Sequence, residues 1–364
     1  MTTTGVAPAP SRLLTWHPGW LGVVLGTGGA AVASLSDPVG SLDVDTWIGV
    51  ALTVVAVALL PVLLVPYVVR ARRHRHAVAA DISHPGTGAL FGTLPAALLI
   101  VGLALAMLGV QGRLPAAATA WVVLALVLLG VVGALVVGVE FFGRVVRAEQ
   151  TPPGAMSGAW FIPIVVLVLV PSVVARLVVL EPSWATTGAV LGATAAWGAG
   201  FVLFLVLAPV LAWRLVSASA PPPAMAATWW IWLAPAGAGG LGVLALARLA
   251  ARIVGGPVAE MLPTAGLLAA TVLWGFGSWW ALFAGRVLRV LAREPGGLPF
   301  HVGSWGFVFP TAAMAALTVE LGRSWDVPAV SVVGTVWWVA CVVVWVRVAL
   351  QTWSGVRRGT IYSR

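Results

Sequence analysis

Glu320 closes an otherwise apolar run, "FPTAAMAALTVELG" at 309–322, where a carboxylate is costly to bury and needs a cation, a proton or water. Arginine is the candidate partner, because all 20 residues of the Lys and Arg types are arginine. Arg176 and Arg248 stand in other apolar runs, and an Arg176–Glu320 pair flanked by Arg248 and Arg323 would create a positive potential that draws in anions. The equal alternative is a local pair between Glu320 and Arg323, one turn along the same helix. Glu140 precedes Arg144 by four residues, the spacing of an ion pair on a helix surface. Groups suited to weak, distributed anion binding are the hydroxyls of Thr27, Thr93 and Thr311 and the amides freed beside prolines.

Other chemistry is thinly represented. His74 and His76 fall in the basic stretch "RARRHRHAVAAD", which reads as a solvated or lipid-facing loop, while His17, His84 and His301 each precede an apolar run and read as interfacial residues. None of the five histidines belongs to a metal-ligand pattern, and the single cysteine, Cys341, supports neither a disulfide nor a thiolate site. There is no G-x-x-x-x-G-K-[ST], no H-E-x-x-H, no intramembrane aspartate pair and no G-x-S-x-G serine with a histidine at its depth. Neither an enzyme nor a cofactor is expected.

The elements that hold these residues follow from composition. Hydrophobic residues make up 60% of the 364 and charged residues 9%, with a mean hydropathy of +1.03, which excludes a soluble domain. Ten apolar segments, at 18–36, 45–70, 87–110, 116–143, 158–180, 186–214, 227–252, 264–290, 302–322 and 328–352, are each long enough to cross a hydrocarbon core of about 30 Å. The expected architecture is an all-α integral membrane protein: a tail at 1–17, a ten-helix domain at 18–352 and a second tail at 353–364. The opening "MTTTGVAPAPSRLL" has no apolar core of a cleavable signal, so the first span is expected to stay.

The net charge of +9 would suit nucleic acid, but the arginines sit in short connections, where they set orientation. Arg12, Arg70, Arg72, Arg73, Arg75, Arg144, Arg147, Arg214, Arg286, Arg289, Arg293, Arg357, Arg358 and Arg364 would share one side, against Arg113, Arg176, Arg248, Arg252 and Arg323 on the other. Both termini are therefore expected in the cytoplasm of a multi-pass protein of the cell membrane. Trp16, Trp160, Trp184, Trp213, Trp229, Trp305, Trp325 and Trp353 lie near span ends, as an interfacial belt would.

Proline marks every odd-numbered span: Pro18, Pro95, Pro163 and Pro171, Pro235, and Pro310. Taking Pro171 in the fifth, the spacing is about 65 to 77 residues, close to one helical hairpin each, which predicts five hairpins with kinked odd helices. Pro61, Pro66 and Pro209 in even spans soften that contrast.

The segments around these prolines, "HPGWLGVVLGTGGAA", "ALFGTLPAALL", "WFIPIVVLVLVPSVVA", "WIWLAPAGAGG" and "LPFHVGSWGFVFPTAAMAALTVELG", resemble in order and spacing the tellurite-resistance/dicarboxylate transporter family. That family includes plant slow-type anion channels, fungal malate permeases and fungal sulfite efflux proteins. The resemblance spans all five odd segments and implies ten-helix protomers, a central pore lined by the odd helices, and a homotrimer. It also implies a pore-occluding phenylalanine in a W-x-x-x-F-P context, which Trp305 to Pro310 match and which gives that role to Phe309. The function so implied is gated, passive transport of small anions through a lipid bilayer, with C4-dicarboxylates, sulfite, tellurite and chloride as substrate candidates. The alternative is a proton-coupled dicarboxylate carrier or sulfite exporter that uses Glu320.

Overall fold

A computed structural model describes residues 13–14, 16–40, 43–148, 151–217 and 223–362; Arg12, Arg364 and most of the N-terminal tail lie outside them. The described chain is helical, and ten of its helices are long and apolar enough to cross a membrane: Pro18–Leu35, Val44–Arg73, Gly88–Val110, Ala116–Arg147, Gly158–Leu180, Thr187–Leu215, Pro223–Val254, Gly256–Leu291, Val302–Ser324 and Pro328–Arg358. The expected spans are all present. The eighth starts earlier than its apolar run because Pro257, in the first turn, presets a helical φ, and Pro263 is absorbed within the helix. The tenth continues to Arg358, where Gly359 at φ 72° ends it, so the first half of the expected C-terminal tail belongs to the span helix. The basic stretch after the second span folds as a further short helix, Arg75–Ser83, rather than an open loop.

Burial separates the two sets of spans. Between 72% and 89% of the most apolar window of each odd span is buried, against 17% to 28% in the even spans. Each odd span packs against the even span that follows it, and the odd spans touch one another in the cyclic order first, third, fifth, seventh, ninth, first. The even spans face outward with large apolar side chains such as Val139 and Leu282, the surface that lipid requires. Below, the near face is the one where odd spans begin and the far face the one where they end.

The odd spans change helix type as they cross. The first runs from a 3-10 turn, Pro18–Leu21, into an α-helix, Gly22–Leu35; the third from Gly88–Gly92 into Thr93–Val110; the ninth from Val302–Phe307 into Val308–Ser324. The fifth breaks twice, with α-helical pieces starting at Ile162 and Val170, and the seventh is interrupted at Trp232. Pro95, Pro163, Pro171, Pro235 and Pro310 each sit in the first turn of an α-helical piece, where the missing N–H costs no helical bond and the preceding turn tightens. Pro18 differs: it opens the 3-10 turn itself and is not a kink within the span. Threonines satisfy carbonyls freed at the breaks, with Thr311 Oγ1 donating to the Phe307 carbonyl and Thr93 Oγ1 to that of Leu90, both at 2.7 Å.

Tryptophan indoles then fix neighbouring helices by donating to hydroxyls: Trp338 to Ser34 at 2.9 Å, Trp345 to Thr27 at 3.1 Å, Trp274 to Thr318 at 3.0 Å and Trp305 to Thr352 at 3.0 Å. The expected interfacial belt is only partly one. Trp213, Trp325 and Trp353 are exposed, but Trp160, Trp229 and Trp305 are buried between helices.

Candidate functional site

Three cavities follow one another from the near face to the far face, and every odd span contributes to each. The near cavity, about 80 Å³, is apolar; its wall includes Leu25, Thr93, Phe161, Ala234, Trp305 and Phe309. The middle cavity is only about 20 Å³, little more than the roughly 10–15 Å³ one water needs, and Phe309 lines it too, beside Gly29, Ile100 and Ala312. Val32, Leu103, Ser172, Leu241 and Ala316 are shared between the middle cavity and the far one, which is about 70 Å³ and adds Arg176, Arg248 and Glu320.

Among the described residues, two line both the apolar near compartment and the narrow middle one, Leu169 of the fifth span and Phe309 of the ninth, and Phe309 is the aromatic one. Its position depends on Gly29: a Cβ there would lie 3.0 Å from the ring and 3.4 Å from the Phe309 Cα. The motif "GTGG" at 26–29 acquires a structural meaning from this. Gly26 makes room for Trp305, Gly28 for Ile100 of the third span, and Gly29 for Phe309.

The charges of the far cavity pair differently from either sequence expectation. Glu320 takes Arg248, at 2.5 Å, and Arg248 also donates to Ser324 at 2.9 Å. Arg323 turns to the first hairpin, with an ion pair to Asp37 at 2.7 Å and a hydrogen bond to the Ser36 carbonyl at 2.9 Å. Arg176 shares the cavity but bonds to its own helix, at the Ser172 carbonyl 3.1 Å away. Both expected partners of Glu320 are therefore replaced by Arg248, which reaches it from the neighbouring seventh span.

Of the three threonines, Thr93 lines the near cavity. Thr27 and Thr311 line none of the three; their hydroxyls accept the indole N–H groups of Trp345 and Trp230, at 3.1 and 2.7 Å. Hydroxyls missed by the sequence reading, on Ser36 and Ser172, line the far cavity instead. Ser172 directly follows Pro171, and a hydroxyl beside a helix break was the available signal. Elsewhere, Glu140 and Arg144 pair at 3.0 Å as expected. Arg70, read as part of a solvated loop, is buried in an ion pair with Asp81 at 2.6 Å and also donates to the Leu14 carbonyl.

The three histidines that precede odd spans cap the near-face backbone. Nδ1 of His17 accepts the N–H of Gly19 at 3.1 Å, Nδ1 of His84 that of Gly86 at 3.1 Å, and Nδ1 of His301 that of Gly303 at 3.0 Å. Ser157 serves the fifth span in the same way through its hydroxyl. His301 also donates from Nε2 to the carbonyl of Ala224, which ties the start of the ninth span to the start of the seventh and requires the neutral ring.

Burial lowers the His301 pKa below the ordinary imidazole range, although the Ala224 hydrogen bond pulls it up. The unfolded chain therefore takes this proton first, near pH 6.5, and the stabilisation present above about pH 6.5 is lost as pH falls through the lower folded value. In thermal unfolding of the detergent-solubilised protein, His301→Asn, which keeps a cap acceptor but does not titrate, should lower Tm less steeply with acidification than wild type does. Equal slopes would show that His301 does not contribute.

Comparison with known proteins adds the decisive observation: the family model described as voltage-dependent anion channel, SLAC1, matches residues 15–353, nearly the whole chain. The chain belongs to the SLAC1 voltage-dependent anion channel family. This SLAC1-family chain is 28% identical to an uncharacterized transporter of Methanocaldococcus jannaschii, over 82% of its own length and 81% of the relative's. It is 25% identical to a second uncharacterized transporter of that organism, over 97% and 98% of the two chains. A sulfite efflux pump of Trichophyton rubrum is 26% identical over 93% of this chain and 90% of the pump. Membership in the SLAC1 family makes the chain a multi-pass membrane protein of an anion-transporting family, whose relatives here are transporters rather than enzymes.

Proposed function

We propose that the chain conducts small anions passively along the axis of the odd spans, from the near cavity past Phe309 to the far cavity, with Phe309 as the gate. The observation that carries this reading is that, among the described residues, Phe309 and Leu169 alone line both the near and the middle cavity, to which all five odd spans contribute, and that of the two Phe309 carries the ring, seated against Gly29. A ring placed there blocks a hydrated ion sterically and by dewetting, and the apolar wall on either side holds an anion only weakly, as conduction requires. On this reading Thr93 and Ser172 provide hydroxyls along the path, and Arg176 supplies the positive field, since Arg248 and Glu320 offset each other.

The near face is cytoplasmic by the arginine asymmetry, both termini lie there, and the working unit is a homotrimer in the cell membrane. Sulfite is the substrate to test first, because one relative is named a sulfite efflux pump. Proton-coupled dicarboxylate transport is the less favoured alternative: its candidate carboxylate, Glu320, is already held by Arg248.

Proteoliposomes carrying the purified protein test the proposal. Influx of chloride, nitrate, sulfite and malate should follow the imposed potential and ignore a pH gradient of about one unit, a gradient equal to about 1.4 kcal/mol per coupled proton. Flux that stops without the gradient would replace the conduit with a carrier.

A further inference from the structure

Arg347 is the one arginine the sequence reading assigned to neither face. It lies inside Pro328–Arg358, about 16 Å before the helix ends at 1.5 Å per residue, and its side chain is exposed. Among the described residues it makes no hydrogen bond or ion pair, and the same holds for Gln351, one turn further along the same face. A guanidinium at this depth is expensive to leave without an anion or water.

Both side chains line a cavity of about 440 Å³, several times larger than any of the axial three. Its wall also includes His301 and Ser304 at the start of the ninth span, Pro223 at the start of the seventh, and Leu298 and Phe300 of the preceding loop. It therefore lies at the level of the odd-span starts, on the near face, and the Trp305–Thr352 hydrogen bond holds its two sides together. His301 has both ring nitrogens engaged, whereas the Ser304 hydroxyl accepts the His301 N–H and keeps its own proton to donate. The available donors are thus one guanidinium, one amide and one hydroxyl, a set that matches a phosphate.

The surroundings select a lipid as the source of that phosphate. Val343, Val346 and Leu350 of the tenth span are exposed beside Arg347, ready to be covered by acyl chains. Arg286, Arg289 and Arg293 at the end of the eighth span and Arg357 and Arg358 at the end of the tenth make this face positive; the acidic residue of the intervening loop, Glu294, is not part of the cavity wall. We propose that the cavity seats the headgroup of an anionic phospholipid from the near leaflet, with its phosphate on Arg347, Gln351 and Ser304. The proposal is independent of the conduction path, because the cavity lies outside the axis.

Native mass spectrometry of the full chain in detergent, supplied with phosphatidylglycerol or phosphatidylcholine, tests it. Wild type should retain phosphatidylglycerol in preference to phosphatidylcholine. Arg347→Gln should reduce that retention about tenfold, the loss expected for a charge-assisted hydrogen bond in a low-dielectric site. Arg347→Lys should keep most of it, and Arg252→Gln, on the far face, should leave it unchanged. Should Arg347→Gln fail to insert, Gln351→Leu provides the second reading and should lower retention as well. Equal retention of the two lipids by wild type, undiminished retention in Arg347→Gln or Gln351→Leu, or a changed oligomeric mass with unchanged lipid would each overturn the assignment, the last by pointing to a second copy of the chain on this face.

Discussion

Replacing Phe309 with alanine is expected to raise anion flux in proteoliposomes at least about tenfold, the change produced by lowering a barrier by about 1.4 kcal/mol. The ring lines both the near and the middle cavity, together with Leu169, and on the proposed path its removal would widen the connection between them. Little else would be disturbed. The neighbouring Pro310 still starts the α-helix, Thr311 still bonds the Phe307 carbonyl, and Gly29 opposite has no side chain to collapse into the gap. The measurement is flux under a fixed potential, normalised to inserted protein, for chloride, nitrate, sulfite and malate. A uniform rise would indicate a steric gate, whereas a rise for the small anions alone would indicate that a second constriction selects by size. A variant that inserts normally yet conducts as wild type would remove Phe309 from the mechanism.

The second large effect is expected from Arg176→Glu, which should lower anion flux about tenfold or more at low salt. The Arg248–Glu320 pair contributes little net charge, so Arg176 sets the sign of the far cavity. Reversal changes the local charge by two units. At about 8 Å and an effective dielectric of about 20, each unit is worth about 2 kcal/mol before screening by salt. Arg176→Gln should fall between the two, and the penalty should shrink at high ionic strength. Arg252→Glu, on the same face but outside the cavity wall, is the control and should have little effect. If Arg176→Glu and Arg252→Glu behave alike, the far cavity does not lie on the anion path.

The ten spans were legible because hydropathy and length are summed over about 20 residues, which makes them robust to single positions. The inner and outer sets were legible only through proline and glycine, since the apolar content of both sets is high. Partner choice was not legible. Whether Glu320 meets Arg176, Arg248 or Arg323 depends on the rotation of three helices about their axes, and each residue of offset turns a side chain by about 100°. The same rotation took Thr27 and Thr311 away from the cavities and gave them to tryptophans. Arg347 escaped notice for a different reason. An arginine signals orientation through the connection it flanks, and Arg347 flanks none, being enclosed by "CVVVWV" and "VAL".

The near cavity is lined without a single ionisable side chain, while the far one holds three. On the proposed path an ion would meet its attraction at one end and the Phe309 ring toward the other, so its energy profile would not be symmetric about the membrane plane. An applied voltage tilts such a profile unequally in its two directions. Current through the protein should therefore rectify, with the asymmetry fading as salt screens the arginines.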